Sequence, residues 1–173
     1  MVTPKSLSID VLPRTRFVSG IRGKHMTERY SVAAERHHRV AVRLEADGET
    51  DDAAYHYGLV GENALKYGLF KSGVAQAWDS GGIKRTNTPM GKHFPKLTPI
   101  IRDLIADIRL FASGRIGAQI QSVVDDSAFA GRFQGWSIDI RYADDQCTPV
   151  DPADCARWAQ DAELFLWRLV LMV

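Results

Sequence analysis

The chain has 173 residues, 45% hydrophobic and 25% charged, with 22 Lys+Arg against 21 Asp+Glu and a formal net charge of +1. That length suits one domain with a core that needs no staples, and the near-neutral balance excludes a protein that grips nucleic acid by bulk charge, leaving room for a local patch. No apolar stretch reaches the roughly 20 residues of a membrane span; the longest, Leu164 to Val173, is interrupted by Arg168.

Residues 1–25 stand apart. They hold Pro4, Pro13, Gly20, Gly23 and five basic residues with no helical period and no apolar run like that of a signal peptide. This composition predicts a poorly ordered arm, with the structured domain at 26–173 and a cytoplasmic location. Ala33, His37, Val40 and Leu44 then recur at helical spacing until Gly48, predicting a first helix over about 28–46. Thr50 is a good N-cap, and Asp51 and Asp52 put negative charge on the positive end of the next helix dipole, which runs to about Lys71. One stripe of that helix is Ala54, Gly58, Gly61, Leu65 and Gly68. Each glycine costs a helix about 1 kcal/mol relative to alanine, so the stripe predicts the close approach of another helix backbone.

Residues 72–96 form a long connection with one turn of helix around Val74–Trp78, and a connection of this length is usually functional or mobile. Thr98-Pro99 pairs an N-cap with proline at the first helical position. It opens an amphipathic helix through Ile101, Leu104, Ile105, Ile108 and Phe111 that ends at Gly114. A fourth helix is expected at about 115–130, an irregular segment at 131–149 with Trp136 to Tyr142 extended, and a last helix from Asp151 to the end. The expected fold is all-α, an up-and-down bundle of about five helices with one long crossover loop.

Four segments carry a family resemblance. They are the paired helices from Glu35-Arg-His-His through Leu44 into Asp52–Gly58, the stretch Gly61-Glu-Asn-Ala-Leu-Lys, His93-Phe-Pro-Lys-Leu after the long loop, and Trp136-Ser-Ile-Asp-Ile-Arg-Tyr before the last helix. Over about residues 28–170 the chain resembles the HEPN superfamily, helical bundles common in prokaryotic defence and toxin–antitoxin systems. The resemblance implies a homodimer and a nucleotidyltransferase-like or nuclease partner. Ribonucleases of that family carry an arginine followed, after four to six residues, by a histidine. None of the five histidines has an arginine at that distance upstream. Arg141 occupies the expected arginine position, but Gln146, Cys147 and Thr148 stand where the histidine would be. The resulting expectation is an accessory protein that binds nucleotide, RNA or a protein partner. The alternatives are a divergent metal-independent ribonuclease using Glu62, Lys66, Arg141 and His93, and a non-catalytic dimerisation module.

Glu62 and Lys66 share a helix face at i,i+4 spacing, as an ordinary ion pair or as an acid and a cation lining a phosphate groove. Arg141 offers a bidentate phosphate grip and Tyr142 a stacking surface, unless Asp139 or a neighbouring acid ties the arginine down. His93 lies in the basic stretch of Lys84, Arg85, Lys92 and Lys96, the expected nucleic-acid contacts, and is placed to act as a general base near neutral pH. His37, on the apolar stripe, reads as a core histidine, and neither His37, His38 nor His56 has metal-ligand spacing. Cys147 and Cys155 match no disulfide framework or metal knuckle, and no phosphate loop is present. No metal or cofactor is expected. The terminal helix is apolar on every side except at Arg168, so it needs burial on more than one face, and a homodimer through this helix supplies it.

Overall fold

The computed structural model describes residues 29–142 and 149–172. The arm expected at 1–25, and Gln146, Cys147 and Thr148, lie outside them. The fold is all-α, with no strand among the described residues. Among the described residues seven helices replace the expected five: α1 (Tyr30–Ala46), α2 (Thr50–Lys71), α3 (Val74–Ser80), α4 (Leu97–Asp103), α5 (Ile105–Phe111), α6 (Gly114–Val124) and α7 (Pro152–Leu166). No described helix is long and apolar enough to cross a membrane.

The organising element is α2. Ala53, Ala54, Tyr57, Val60, Ala64, Leu65 and Leu69 bury its apolar side, while Gly58, Gly61, Glu62 and Lys66 are buried as well. A helix hidden on this many faces must be surrounded, and α1, α6, α7 and the C-terminal turn all pack on it. The α1–α2 connection is a tight hairpin turned by Gly48 at φ +85°, a left-handed conformation that glycine adopts without strain. Across this hairpin Tyr57 donates its hydroxyl to Glu45. Burial, and then the Glu45 carboxylate, push the phenol well above its ordinary pKa, so Tyr57 stays a donor. On the other side Cys155 of α7 points its thiol at the Thr50 carbonyl, 3.7 Å away, and burial pushes that thiol up to about 11. It is an ordinary packed thiol.

Several boundaries differ from the sequence reading. The helix expected from Thr98 to Gly114 is broken at Leu104, whose φ and ψ are −100° and 15°. Its halves lean on different supports: α4 on the turns at Pro89–Gly91 and Phe129–Gly131, α5 on α3 and α6. Ile101 and Ile108 are both fully buried across this kink. Gly114, at φ +67°, opens α6 rather than ending its predecessor. The fourth helix stops at Val124, short of residue 130, because Asp126 accepts the Ala128 amide at 2.9 Å and starts a turn. Trp136 to Tyr142 is not extended: Ser137 Oγ accepts the Asp139 amide at 3.1 Å, leading into a 3-10 turn at Ile138–Tyr142. The last helix passes into a π turn at Trp167–Leu171. Phe165, Leu166 and Leu169 are buried, whereas Trp167 (56%), Leu171 (52%) and Met172 (40%) remain exposed.

The glycine stripe also has a different partner from the one expected. A Cβ at Gly58 would lie 1.9 Å from the Trp136 ring, and one at Gly61 would lie 2.2 Å from the Phe133 ring. Gly68 faces Ile120 and Leu169 side chains. Gly58 and Gly61 thus admit aromatic rings rather than a helix, whereas at Gly68 helix α6 does come close, with the Ile120 Cβ 3.7 Å from where a Cβ would stand.

Candidate functional site

The site begins with those two rings. Trp136 lies in the notch at Gly58 and donates its indole N–H to the Ala54 carbonyl at 2.9 Å. Phe133 occupies the notch at Gly61 and stacks on Phe94, ring centroids 4.8 Å apart. Phe94 also meets Trp136 edge-on, and Phe133 meets Phe165 of α7. Aromatic pairs in these arrangements contribute about 0.5–1.5 kcal/mol beyond their buried area. They anchor the long loop to α2 at Phe94, one residue after His93.

Phe133 is held at a backbone cost. Its φ is +52°, and no other non-glycine residue among those described has a positive φ. Left-handed geometry costs a bulky residue on the order of 1–3 kcal/mol. Asp161 of α7, itself buried, offsets this by accepting the Phe133 amide at 3.0 Å and an Arg132 guanidinium N–H at 2.6 Å. Arg132 reaches on to Asp126 at 3.2 Å. The Ala128 amide, and then Arg132, hold the half-buried Asp126 carboxyl below its ordinary range.

The loop ahead of His93 is ordered by its own packing. Its 3-10 turns at Arg85–Asn87 and Pro89–Gly91 fold on each other, and a Cβ at Gly91 would come within 2.6 Å of the Arg85 carbonyl oxygen. Thr88 Oγ1 donates to that same carbonyl at 2.8 Å, and Met90 and Phe94 are buried. Trp78 of α3 donates to Asp107 of α5 at 3.1 Å. What the sequence showed as a long crossover is a helix and two short turns closed over the core.

With Phe94 fixed, His93 lies over α2 at Glu62. Glu62 Oε1 accepts Lys66 Nζ at 2.7 Å and Oε2 accepts His93 Nδ1 at 2.9 Å. The side chains of Glu62 and Lys66 are 4% and 7% exposed, that of His93 53%. A carboxylate can only accept, so Nδ1 carries the proton and, in the neutral ring, Nε2 is left as a free acceptor. Glu62 is the hydrogen-bond partner of Lys66 among the described residues, and an ammonium has three donors to give. The group thus combines a buried carboxylate, a buried cation with spare donors and a half-exposed imidazole. If His93 is protonated, it carries one net positive charge.

Of the residues singled out from sequence, Glu62, Lys66 and His93 meet. Arg141 does not join them. Its guanidinium lies over the Tyr142 ring at 4.4 Å, and both residues are exposed. Asp139 does not tie it down either, because Asp139 bonds Ser137. Lys84 and Lys96 are exposed on the loop and Lys92 is half-buried beside His93. Arg85 donates to the Tyr30 hydroxyl at 2.9 Å, tying the loop to the start of α1. His37 and His56 pair through their Nδ1 atoms at 2.9 Å, and no group of three or more metal-binding side chains occurs among the described residues. Sequence reasoning passed over Asp161, Arg132 and Phe133; the unexplained glycines at 58 and 61 were the signal that bulky groups had to enter α2.

No protein-family model, curated protein or solved structure matches this chain.

Proposed function

We propose that this protein binds RNA or a nucleotide through a phosphate held at Lys66 and His93, as a HEPN-like accessory protein of a prokaryotic defence or toxin–antitoxin system acting in the cytoplasm. The observation that carries the reading is the buried Glu62 carboxylate shared between Lys66 and the half-exposed His93. Burying an ion pair costs more desolvation than a surface pair returns, so packing alone gives little reason to keep one. A cation with unused donors beside a solvent-reaching imidazole suits an anion that accepts several hydrogen bonds, as phosphate does. Lys84, Lys92 and Lys96 on the same loop add local positive charge to a chain whose net charge is only +1.

A second reading is favoured by one feature, the fixed tautomer of His93. A carboxylate-held imidazole with a free Nε2 is the arrangement of a general base. In metal-independent RNA cleavage Nε2 takes the ribose 2′-hydroxyl proton. The 2′-oxygen attacks the adjacent phosphorus, and the 5′-oxygen leaves with a proton from water. Lys66 offsets the charge that builds on the phosphoryl oxygens.

Self-association belongs to the same proposal. Trp167, Leu171 and Met172 form an exposed apolar group at the C-terminal turn, the kind of surface that a second copy covers. Binding of a labelled single-stranded RNA to wild type and to His93→Ala tests the phosphate site, and a gel of the same reactions tests cleavage.

A further inference from the structure

The outer face of α1 carries a second feature that the Glu62–His93 site does not use. At 3.6 residues per turn, Val32, Arg36, Arg39 and Arg43 fall on one stripe. Val40 lies on one flank of this stripe and Val42 on the other. The opposite side of the helix buries Ala34 and Ala41 against the body. All six stripe and flank residues are exposed, with Val32, Val40 and Val42 at 52%, 37% and 46%. The described ion pairs that use arginine involve Arg109, Arg132 and Arg157; Arg36, Arg39 and Arg43 have no ion-pair partner among the described residues.

We propose that this stripe docks an acidic, apolar-faced segment of a partner protein. The chemistry selects among occupants. Residues 1–25 of the same chain carry Lys5, Arg14, Arg16, Arg22 and Lys24 against the single acid Asp10, so their charge repels three unpaired arginines. A nucleic-acid backbone would neutralise the arginines but give the three valines nothing to pack on. An amphipathic helix with leucines on one face and glutamates beside them satisfies both, with apolar anchors at helical spacing and guanidinium–carboxylate pairs at the edge. The assignment is independent of the phosphate site, because none of its residues lies in the Glu62–His93 cluster.

The test is fluorescence anisotropy of the full chain with a labelled peptide of about fifteen residues, leucine at every third or fourth position and glutamate between. Companion probes replace glutamate with glutamine or with lysine, and a uridine oligonucleotide of similar length is run beside them. The glutamate peptide binds, the glutamine peptide binds more weakly and the lysine peptide does not bind. Reversing Arg39 and Arg43 to glutamate weakens binding by about tenfold or more, the equivalent of losing about 1.4 kcal/mol. Val40→Asp weakens it without touching an arginine. Melting curves of the variants match wild type, since every altered side chain is exposed. Failure of the glutamate peptide to bind overturns the assignment, as does unchanged binding by the Arg39/Arg43 variant. Binding of the oligonucleotide that depends on these arginines, without peptide binding, overturns it in favour of RNA.

Discussion

Trp136 donates its indole N–H to the carbonyl of Ala54 at 2.9 Å across 82 residues of sequence, and its ring occupies the space that a side chain at Gly58 would need. This contact, together with Phe133 over Gly61, links the irregular segment to the central helix and supports Phe94 beside His93. A substitution at either glycine therefore acts on the site through two rings.

Gly58→Ala gains about 1 kcal/mol of helix propensity but places a methyl 1.9 Å from a fully buried indole that is itself hydrogen-bonded. Overpacking of this kind costs about 1–3 kcal/mol or more, and losing the indole bond adds to it. The variant is expected to melt several degrees lower, with a red shift in tryptophan emission. Gly131→Ala, where a Cβ meets nothing within 4 Å, serves as the control and should melt close to wild type.

Asp161 joins α7 to the Arg132–Phe133 segment through both carboxylate oxygens. Asp161→Ala leaves the strained, buried Phe133 amide without its acceptor and leaves Arg132 only its contact with Asp126. A buried donor left unmet in this way costs about 1–3 kcal/mol. Chemical denaturation should show a loss of that size. Asp161→Asn, which keeps one oxygen acceptor, should lose less; equal losses would count against the clamp.

Acid should loosen the α1–α2 hairpin. Burial first, then His56 and Arg36, lower His37 to about 4. Burial also lowers His56, against the opposing pull of Asp52. A histidine whose folded pKa is depressed contributes stability that is complete above its unfolded value, 6.5. That stability is lost as pH falls through this window toward about 4. For a ring this exposed the contribution is on the order of 1–2 kcal/mol after solvent screening. Melting temperatures measured across the window should fall more steeply for wild type than for His37→Gln. Parallel curves would show that the pair is not the cause.

Trp167, 56% exposed at the C-terminal turn, is the residue whose loss should most affect self-association. Trp167→Glu is expected to sediment as a monomer at concentrations where wild type is a dimer, with its melting temperature little changed. A monomeric wild type would remove the dimer from the proposal.

The helical periods of α1, α2 and α7 were legible because their apolar faces repeat and because Gly48 and Asp151-Pro152 punctuate them. Asp151 does accept the Ala153 amide at 2.8 Å as the N-cap of α7. The kink at Leu104 was not legible, since Ile101 and Ile108 keep one helical period on either side of it. The glycines at 58 and 61 announced a close approach but not its agent, because a small residue says only that something large comes near. Glu62 and Lys66 could be paired from their spacing. Their meeting with His93 depends on Phe94, Phe133 and Trp136, contacts between distant segments that no local pattern encodes. Arg141, placed with them from the resemblance, lies instead over Tyr142 on the surface.

The central claim is that Lys66 and His93, held by Glu62, take an RNA or nucleotide phosphate. It is tested most directly by titrating a labelled single-stranded RNA into wild type, His93→Ala and Glu62→Gln, with melting curves and a cleavage gel on the same samples. His93 is half-exposed, so His93→Ala should melt as wild type yet bind about tenfold more weakly, a loss of about 1.4 kcal/mol. Glu62→Gln, which no longer balances the buried ammonium, should change both stability and binding. RNA that binds wild type and His93→Ala with equal affinity, or fails to bind wild type at all, would contradict the account.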